Sequence, residues 1–316
     1  MESEVLLTGL RAAGEPTRLR LLSLCARGEF TVSDFTQILG QSQPRVSRHL
    51  KLLCDAGLVD RFREGTWAFY RLAEHADGGT LSRTLADLIS DDDPDVARDL
   101  ERLAGVKAAR LEAADKYFRA NASQWDEIRS LYVPEKQVEA ALMDVFDPME
   151  IADYLDIGTG TGRMLELFGG RVTKGIGIDM SREMLSVARA KLDAAGLDNC
   201  QVRLGDMYAL PIPSHSIDAV TVHQVLRYAD DPQSAIREAA RVLRPGGRVA
   251  VVDFAPHDIE TLRGQHAHRR LGFSHDEVAG WLQSAGLNPG EAIDLEGDPL
   301  TVTIWPADAP QPEAQD

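Results

Sequence analysis

Apolar positions recur with a helical period from residue 4 to 27, broken at "AAGEP", and Pro16 in a first turn opens a second helix running to Arg27. "TVSDFTQILG" predicts a short helix from Thr31, closed by Gly40. Ser42 then offers an N-cap, Pro44 is tolerated in the first turn, and Val46, Leu50 and Leu53 form one buried stripe. After Gly57, "LVDRFREGTWAFYRL" reads as two strands around Glu64-Gly65, a hairpin. Residues 80–90 and 95–145 return to a helical period, separated by the polar break "SDDDPD". From Ile151 the pattern alternates strand and helix, with strands expected at about 151–157, 174–179, 201–205, 217–223 and 247–253. Two late strands, about 291–296 and 300–305, flank "GDP". This is a doubly wound α/β domain with a terminal hairpin. The Pro-rich, acidic end, 306–316, is expected to be disordered.

A chain of 316 residues suits two domains plus connections, and no run of about 18 apolar residues predicts a membrane span. The start "MESEVLLTGL" lacks the basic region of a signal peptide. Cys25, Cys54 and Cys200 form no C-x-x-C pair, which favours a reducing cytoplasm over a disulfide framework. The net charge of −16 argues against DNA until it is mapped. Residues 1–75 hold ten Lys/Arg against nine Asp/Glu, so the acidic excess lies almost wholly beyond them. Basic charge is therefore local, within residues 41–63.

Helix, turn, helix and β-wing, in that order, is the winged form of a major-groove reader. The exposed donors near the second helix's start are Ser42, Gln43, Arg45, Ser47, Arg48 and His49, placed to reach base edges. Lys51 and the wing residues Arg61 and Arg63 are placed for phosphate, which adds affinity without sequence information. The segment from about residue 7 to 72 resembles the arsenic-repressor (ArsR) family of winged-helix regulators, through "EPTRLRLLSL", "SQPRVSRHLKLLCDAGLV" and "REGTWAFYRL". The resemblance implies a homodimer on a palindromic double-stranded operator, with residues 1–13 and 80–90 at the dimer interface. It departs at the family's metal-sensing positions, where Thr31 and Ser33 replace cysteines and offer poor soft-metal ligands. After the wing His75 stands alone, so no metal is expected at either site.

"LDIGTGTG" places Asp156, Gly158, Thr159, Gly160 and Gly162 between a strand and a helix, where glycines let backbone approach a ligand closely. Such a loop alone is shared by dinucleotide and methyl-donor sites. Asp179, 23 residues after Asp156, ends the second strand where a carboxylate can accept ribose hydroxyls, and Asp206 ends the third, suited to an adenine amine. Over residues 150–305 this set resembles the class I S-adenosylmethionine (SAM) methyltransferase fold. The resemblance implies that Asp156 and Gly158 hold the amino-acid end of SAM or S-adenosylhomocysteine (SAH). It further implies that Asp179 holds the ribose, that Met180 and Met207 flank the adenine, and that Asp206 bonds its amine.

His223 and Gln224 end the fourth strand, where acceptor contacts lie in this fold, and are catalytic candidates with His257; His223 is also a candidate cofactor contact. Neither the N-P-P-[YF] nor the P-C signature of nucleic-acid methylases occurs there. His257, His266 and His268 beside Asp253 are open to three roles: general base, with His257 foremost, metal ligands, or a polar cap. Tyr117, Phe118, Trp125 and Arg129 resemble the aromatic lid of this fold, and equally suit an ordinary helical linker.

The expected architecture is an N-terminal winged helix-turn-helix (α+β) domain, 1–90, a helical linker or lid, 91–148, and a C-terminal α/β, Rossmann-like class I methyltransferase domain, 149–305. As a whole it resembles fused regulators of the SAM cycle. That implies a transcription regulator, most simply a repressor, whose methyltransferase-like domain senses SAH or SAM. The alternative is an active small-molecule methyltransferase with an accessory winged domain.

Overall fold

A computed structural model describes residues 3–64, 67–73, 76–121 and 134–311. His75, Trp125 and Arg129, each weighed above, lie outside the described residues, as do the side chains of Tyr117 and Phe118. Two compact units divide the chain, Met1–Ala113 and Ala114–Asp316.

The first unit begins with α1 (Ser3–Ala13) and α2 (Pro16–Cys25), then β1 (Phe30–Thr31), α3 (Val32–Leu39) and α4 (Gln43–Asp55). The wing follows as β2 (Val59–Glu64) and β3 (Trp67–Leu72), then α5 (Ala76–Asp87) and α6 (Pro94–Asn121). Local chemistry sets the boundaries. A capping box starts α3: Asp34 N donates to Thr31 Oγ1 at 3.3 Å and Thr31 N donates to Asp34 Oδ2 at 2.8 Å. Gly40, at φ +64°, ends that helix in the left-handed conformation. The three-stranded sheet runs β1-β3-β2. Phe30, Phe35, Val46, Leu50 and Leu53 join Leu21 and Leu22 in one core.

The helix expected to begin a linker belongs to this unit. Leu103 and Val106 of α6 are buried in the same core. Asp99, 1% exposed, receives both Arg20 Nε and Nη2, at 2.5 and 2.6 Å. Arg102 Nη1 donates to Ile38 O at 3.1 Å, covering the C-terminal end of α3 just before the turn into α4.

The second unit contains α7 (Glu135–Phe146), β4 (Asp153–Ile157), α8 (Arg163–Phe168), β5 (Lys174–Asp179), α9 (Arg182–Ala195), β6 (Cys200–Leu204) and β7 (Ile217–His223). It continues with α10 (Pro232–Val242), β8 (Leu243–Phe254), α11 (Thr261–Gln265), α12 (His275–Ser284), β9 (Asn288–Pro289), β10 (Ile293–Leu295) and β11 (Val302–Asp308). The sheet order is β10-β11-β8-β7-β4-β5-β6, with β9 paired to β11. Strands β6, β5, β4, β7 and β8 are parallel; β11 is antiparallel to β8 and closes the terminal hairpin. The reversal of strand order between β4 and β7 opens a crevice beyond the carboxyl ends, which is where such sheets bind ligands.

One expectation about the chain's end is corrected. Pro306–Asp308, assigned above to a disordered tail, complete β11. Asp308 holds Arg248 through both oxygens at 2.6 and 3.1 Å, and Ala309 N donates to Gly247 O, so pairing outlasts the composition signal.

Candidate functional site

The first candidate surface is α4. Val46, Leu50 and Leu53 are fully buried, which turns Gln43, Arg45, Arg48 and Lys51 outward. Ser42 occupies the N-cap but its side chain makes no capping hydrogen bond, and Ser47 is half-buried. Lys51 is engaged on its own helix by Asp55 at 2.7 Å. Arg45 and Arg48 have no ion-pair partner among the described residues. Arg61 and Arg63 lie exposed on β2. His49 departs from the expected base-reading row. Three residues on from Val46, it falls beside the buried stripe, and its side chain, 13% exposed, faces Glu15 at 3.5 Å. Burial lowers its pKa, with Arg18, Arg45 and Arg48 acting the same way and Glu15 against them.

The second is the glycine loop after β4. Gly158 N and Thr159 N both donate to Ile178 O, at 2.8 and 3.0 Å, tying the loop to the neighbouring strand. Gly158 has φ +71°, and a Cβ there would stand 2.5 Å from Val225 Cγ2, so backbone alone fits. Asp179, at the end of β5, is fixed from two sides: Gly160 N donates to Oδ2 and Ser181 N to Oδ1, each at 2.8 Å. A carboxylate fixed by two amides keeps further lone pairs for hydroxyl donors. Asp156 lies deeper, 1% exposed, in a buried chain where Tyr154 and Thr221 hydroxyls meet at 2.6 Å and Thr221 donates to Asp156 at 2.6 Å. Thr159 Oγ1 is buried without a hydrogen-bond partner among the described residues. Asp206 follows β6 and accepts from Tyr208 N at 2.9 Å; Met207 is half-buried and Met180 exposed. Asp179, Asp206 and the loop therefore lie at the carboxyl ends of three adjacent strands.

The third cluster lies at the ends of β7 and β8. His223 and Gln224 are buried, and Gln224 adopts φ +53°, a strained conformation for a residue other than glycine. Arg227 Nη2 donates to Gln224 Oε1 at 3.0 Å and its Nη1 to the fully buried Asp253 at 3.0 Å. Sequence inspection singled out Asp253 but not its partner, for 26 residues separate the two. Burial, reinforced by the Arg227 and Arg263 charges, pushes His257 down to about 4. The same causes push His268 far down. Imidazoles so disposed stay neutral and are weak proton acceptors. Among the described residues no group of three His, Cys, Asp or Glu side chains is arranged to hold a metal ion.

With this geometry in view, comparison with known proteins divides the chain as the structure does. Residues 15–61 match the model of the bacterial regulatory protein, arsR family, and residues 155–251 that of a methyltransferase domain. The chain thus joins a segment of arsR-family helix-turn-helix type, residues 15–61, to one of methyltransferase-domain type, residues 155–251. In Roseobacter denitrificans the ubiquinone/menaquinone biosynthesis C-methyltransferase UbiE is 33% identical over 157 residues, covering 48% of this chain and 61% of that protein. The arsenite methyltransferase of Halobacterium salinarum is 31% identical over 163 residues, covering 49% and 42%. An uncharacterized 37.1 kDa protein of a Streptomyces fradiae transposon is 36% identical over 119 residues, covering 37% of this chain and 34% of that protein. These matches span between 34% and 61% of each relative, less than two thirds. Among solved structures, a chain of the complex between the Haloferax volcanii Trm112 methyltransferase activator and a methyltransferase aligns with TM-score 0.52 at 23% identity. It covers 61% of this chain and 98% of its own. The Streptomyces coelicolor geranyl diphosphate C-methyltransferase, solved with Mg2+, geranyl diphosphate and SAH, aligns at 0.50 with 15% identity, over 55% of this chain and 79% of its own. Both likenesses describe the fold.

Proposed function

We propose that the chain is a DNA-binding transcription regulator, most simply a repressor, whose methyltransferase-like domain binds SAH or SAM as its signal in the cytoplasm. The observation that carries this reading is the pair Arg45 and Arg48, two guanidinium groups without ion-pair partners among the described residues, on the exposed row of α4 in a chain of net charge −16. On so acidic a protein, uncommitted cations on a helix shaped for the major groove favour a nucleic-acid partner. A homodimer on a palindromic operator fits the apolar face that α1 exposes through Val5, Leu6, Leu7 and Leu10, with Leu88 exposed after α5.

For the ligand, the fixed Asp179 takes the ribose and Asp206 the adenine amine, between Met180 and Met207, while the loop Gly158–Gly162 receives the amino-acid end above Asp156. SAH lacks the methyl group and sulfonium charge of SAM, so the site can discriminate the two by shape and charge. Methionine-cycle genes are the natural targets of such a sensor.

A second reading, an active small-molecule methyltransferase, is favoured by the buried polar cluster of Gln224, Arg227 and Asp253 beside the site. Both readings meet one experiment. The full chain is titrated against DNA from upstream of its own gene, at fixed salt, with SAH, SAM or neither. A tenfold change in affinity corresponds to about 1.4 kcal/mol of coupling. Such a change is expected for at least one nucleoside; equal affinity in all three overturns the sensor and leaves the enzyme.

A further inference from the structure

We propose that Arg102 of α6 is a positioning residue for sequence readout: it holds the turn between α3 and α4 and so sets the angle at which α4 presents its first residues to DNA. The proposal rests on the DNA-binding reading, and it concerns a residue outside the segment, 15–61, that matches the arsR family.

The end of α4 that would meet base edges is the end its own sequence fixes least. Val46, Leu50 and Leu53 bury the helix from Val46 onward, whereas Gln43, Pro44 and Arg45 before them are exposed. Ser42 makes no side-chain capping bond. In the turn, Gly40 N donates to Thr36 O at 3.0 Å, and Gln41 Nε2 reaches Thr17 Oγ1 only at 3.5 Å, the limit of a hydrogen bond. Arg102 adds a firm hold. Its Nη1 donates at 3.1 Å to Ile38 O, one of the last carbonyls of α3, which a helix end leaves without an amide of its own. The same guanidinium lies against Gly40, where a Cβ would stand 2.9 Å from Nη1 and 3.8 Å from Cζ. Gly40 is therefore required twice, by its left-handed backbone and by this close approach.

Arg102 can hold the turn because α6 is itself held. Val96, Asp99, Leu103 and Val106 recur at helical spacing and are all buried. Asp99 accepts both Arg20 nitrogens from α2, and Lys107 Nζ donates to Arg27 O, just past the end of α2, at 3.2 Å. From this seat on α2 the helix reaches across to the turn with one side chain. Base edges demand more of α4 than phosphates do. A bidentate contact to a base needs its donors in register, whereas a flexible Lys or Arg follows a phosphate over a range of helix angles. Loosening the turn therefore costs discrimination before it costs charge attraction.

The test uses the full chain, a duplex that the parent enriches from a random library, and a scrambled duplex of the same length and composition. Arg102→Met keeps the stem and removes the donor. It is expected to bind the selected duplex about fivefold more weakly, the worth of one partly exposed hydrogen bond from a charged donor. It should bind the scrambled duplex as the parent does, with the same salt dependence, because no phosphate contact is lost. Arg102→Lys, which can still donate to Ile38 O, is expected to recover most of the loss. Lys107→Met removes a bond of α6 away from the turn; it should lower stability in urea and leave both affinities as in the parent. A loss shared by both duplexes, a flatter salt slope, no recovery by lysine, or the same loss in Lys107→Met overturns the role. If selection enriches no sequence, the DNA-binding reading falls and this proposal with it. A selected duplex that Arg102→Met binds as tightly as the parent does sinks the role of Arg102 alone.

Discussion

Replacing Asp179 with Asn is the most informative small change to the nucleoside site. The two side chains are nearly isosteric, but the parent carboxylate accepts from Gly160 N through one oxygen and from Ser181 N through the other. Whichever way the amide lies, its NH2 group faces a backbone N–H, so one bond is lost and two donors confront each other. Asp179 is only half-buried and water relieves part of this, leaving a stability loss of about 1 kcal/mol. The ligand loses more. A hydrogen bond to a charged group is worth about 1.5–3 kcal/mol, so one such bond to a ribose hydroxyl converts to roughly 10- to 150-fold weaker binding. Calorimetry with SAH measures the second quantity, urea unfolding the first, and DNA affinity without ligand shows whether the first unit is disturbed. The expected result is weakened SAH binding with unliganded DNA affinity intact. A folded Asp179→Asn protein that binds SAH within threefold of the parent would refute this role for the carboxylate.

Four further outcomes follow from the same structure. Gly158→Ala combines a left-handed backbone with a Cβ 2.5 Å from Val225, and should cost about 2–5 kcal/mol in urea unfolding; adding Val225→Ala should recover only the steric share. Asp99→Ala strands the Arg20 guanidinium, 15% exposed, and should destabilise the first unit by about 3–5 kcal/mol, read from its unfolding transition. Arg48→Ala should flatten the dependence of log DNA affinity on log salt by about one if Arg48 meets phosphate, whereas His49→Ala, facing Glu15, should leave that slope unchanged. Because the folded pKa of His257 lies below its unfolded value, the neutral ring stabilises the fold above pH 6.5, and stability falls as pH drops from 6.5 toward about 4. His257→Gln should flatten that limb of a stability-versus-pH curve.

Both domain types were legible in the sequence because their signals are local. Strands at 174–179 and 217–223 coincide with β5 and β7, and Thr31 and Gly40 bound α3 as their cap chemistry dictates. The capping residue, the period of the apolar stripe and the glycines of the loop each act within a few residues. What escaped depends on distant partners. β8 begins at Leu243 rather than near 247, and Arg244 there bridges Asp153 and Asp218 on neighbouring strands. Pro306 argues against a strand locally, yet β11 carries it through the register with β8. The start of α6 read as a linker because nothing in its own pattern announces that Asp99 will meet Arg20, 79 residues away. His49 looked like part of a basic row until its orientation showed it facing Glu15. The Arg227–Asp253 pair, and the unpartnered histidine nitrogens near it, exist only once β7 and β8 lie side by side.

Coupling between the two units is reciprocal if it exists: a nucleoside that changes DNA affinity by some factor must have its own affinity changed by DNA in the same factor. The most direct test is therefore the dissociation constant of SAH, measured on the free chain and on the chain saturated with its upstream DNA at the same salt. The account predicts constants that differ at least tenfold, by the ratio found in the DNA titration. Two equal constants would contradict it, however tightly each ligand binds.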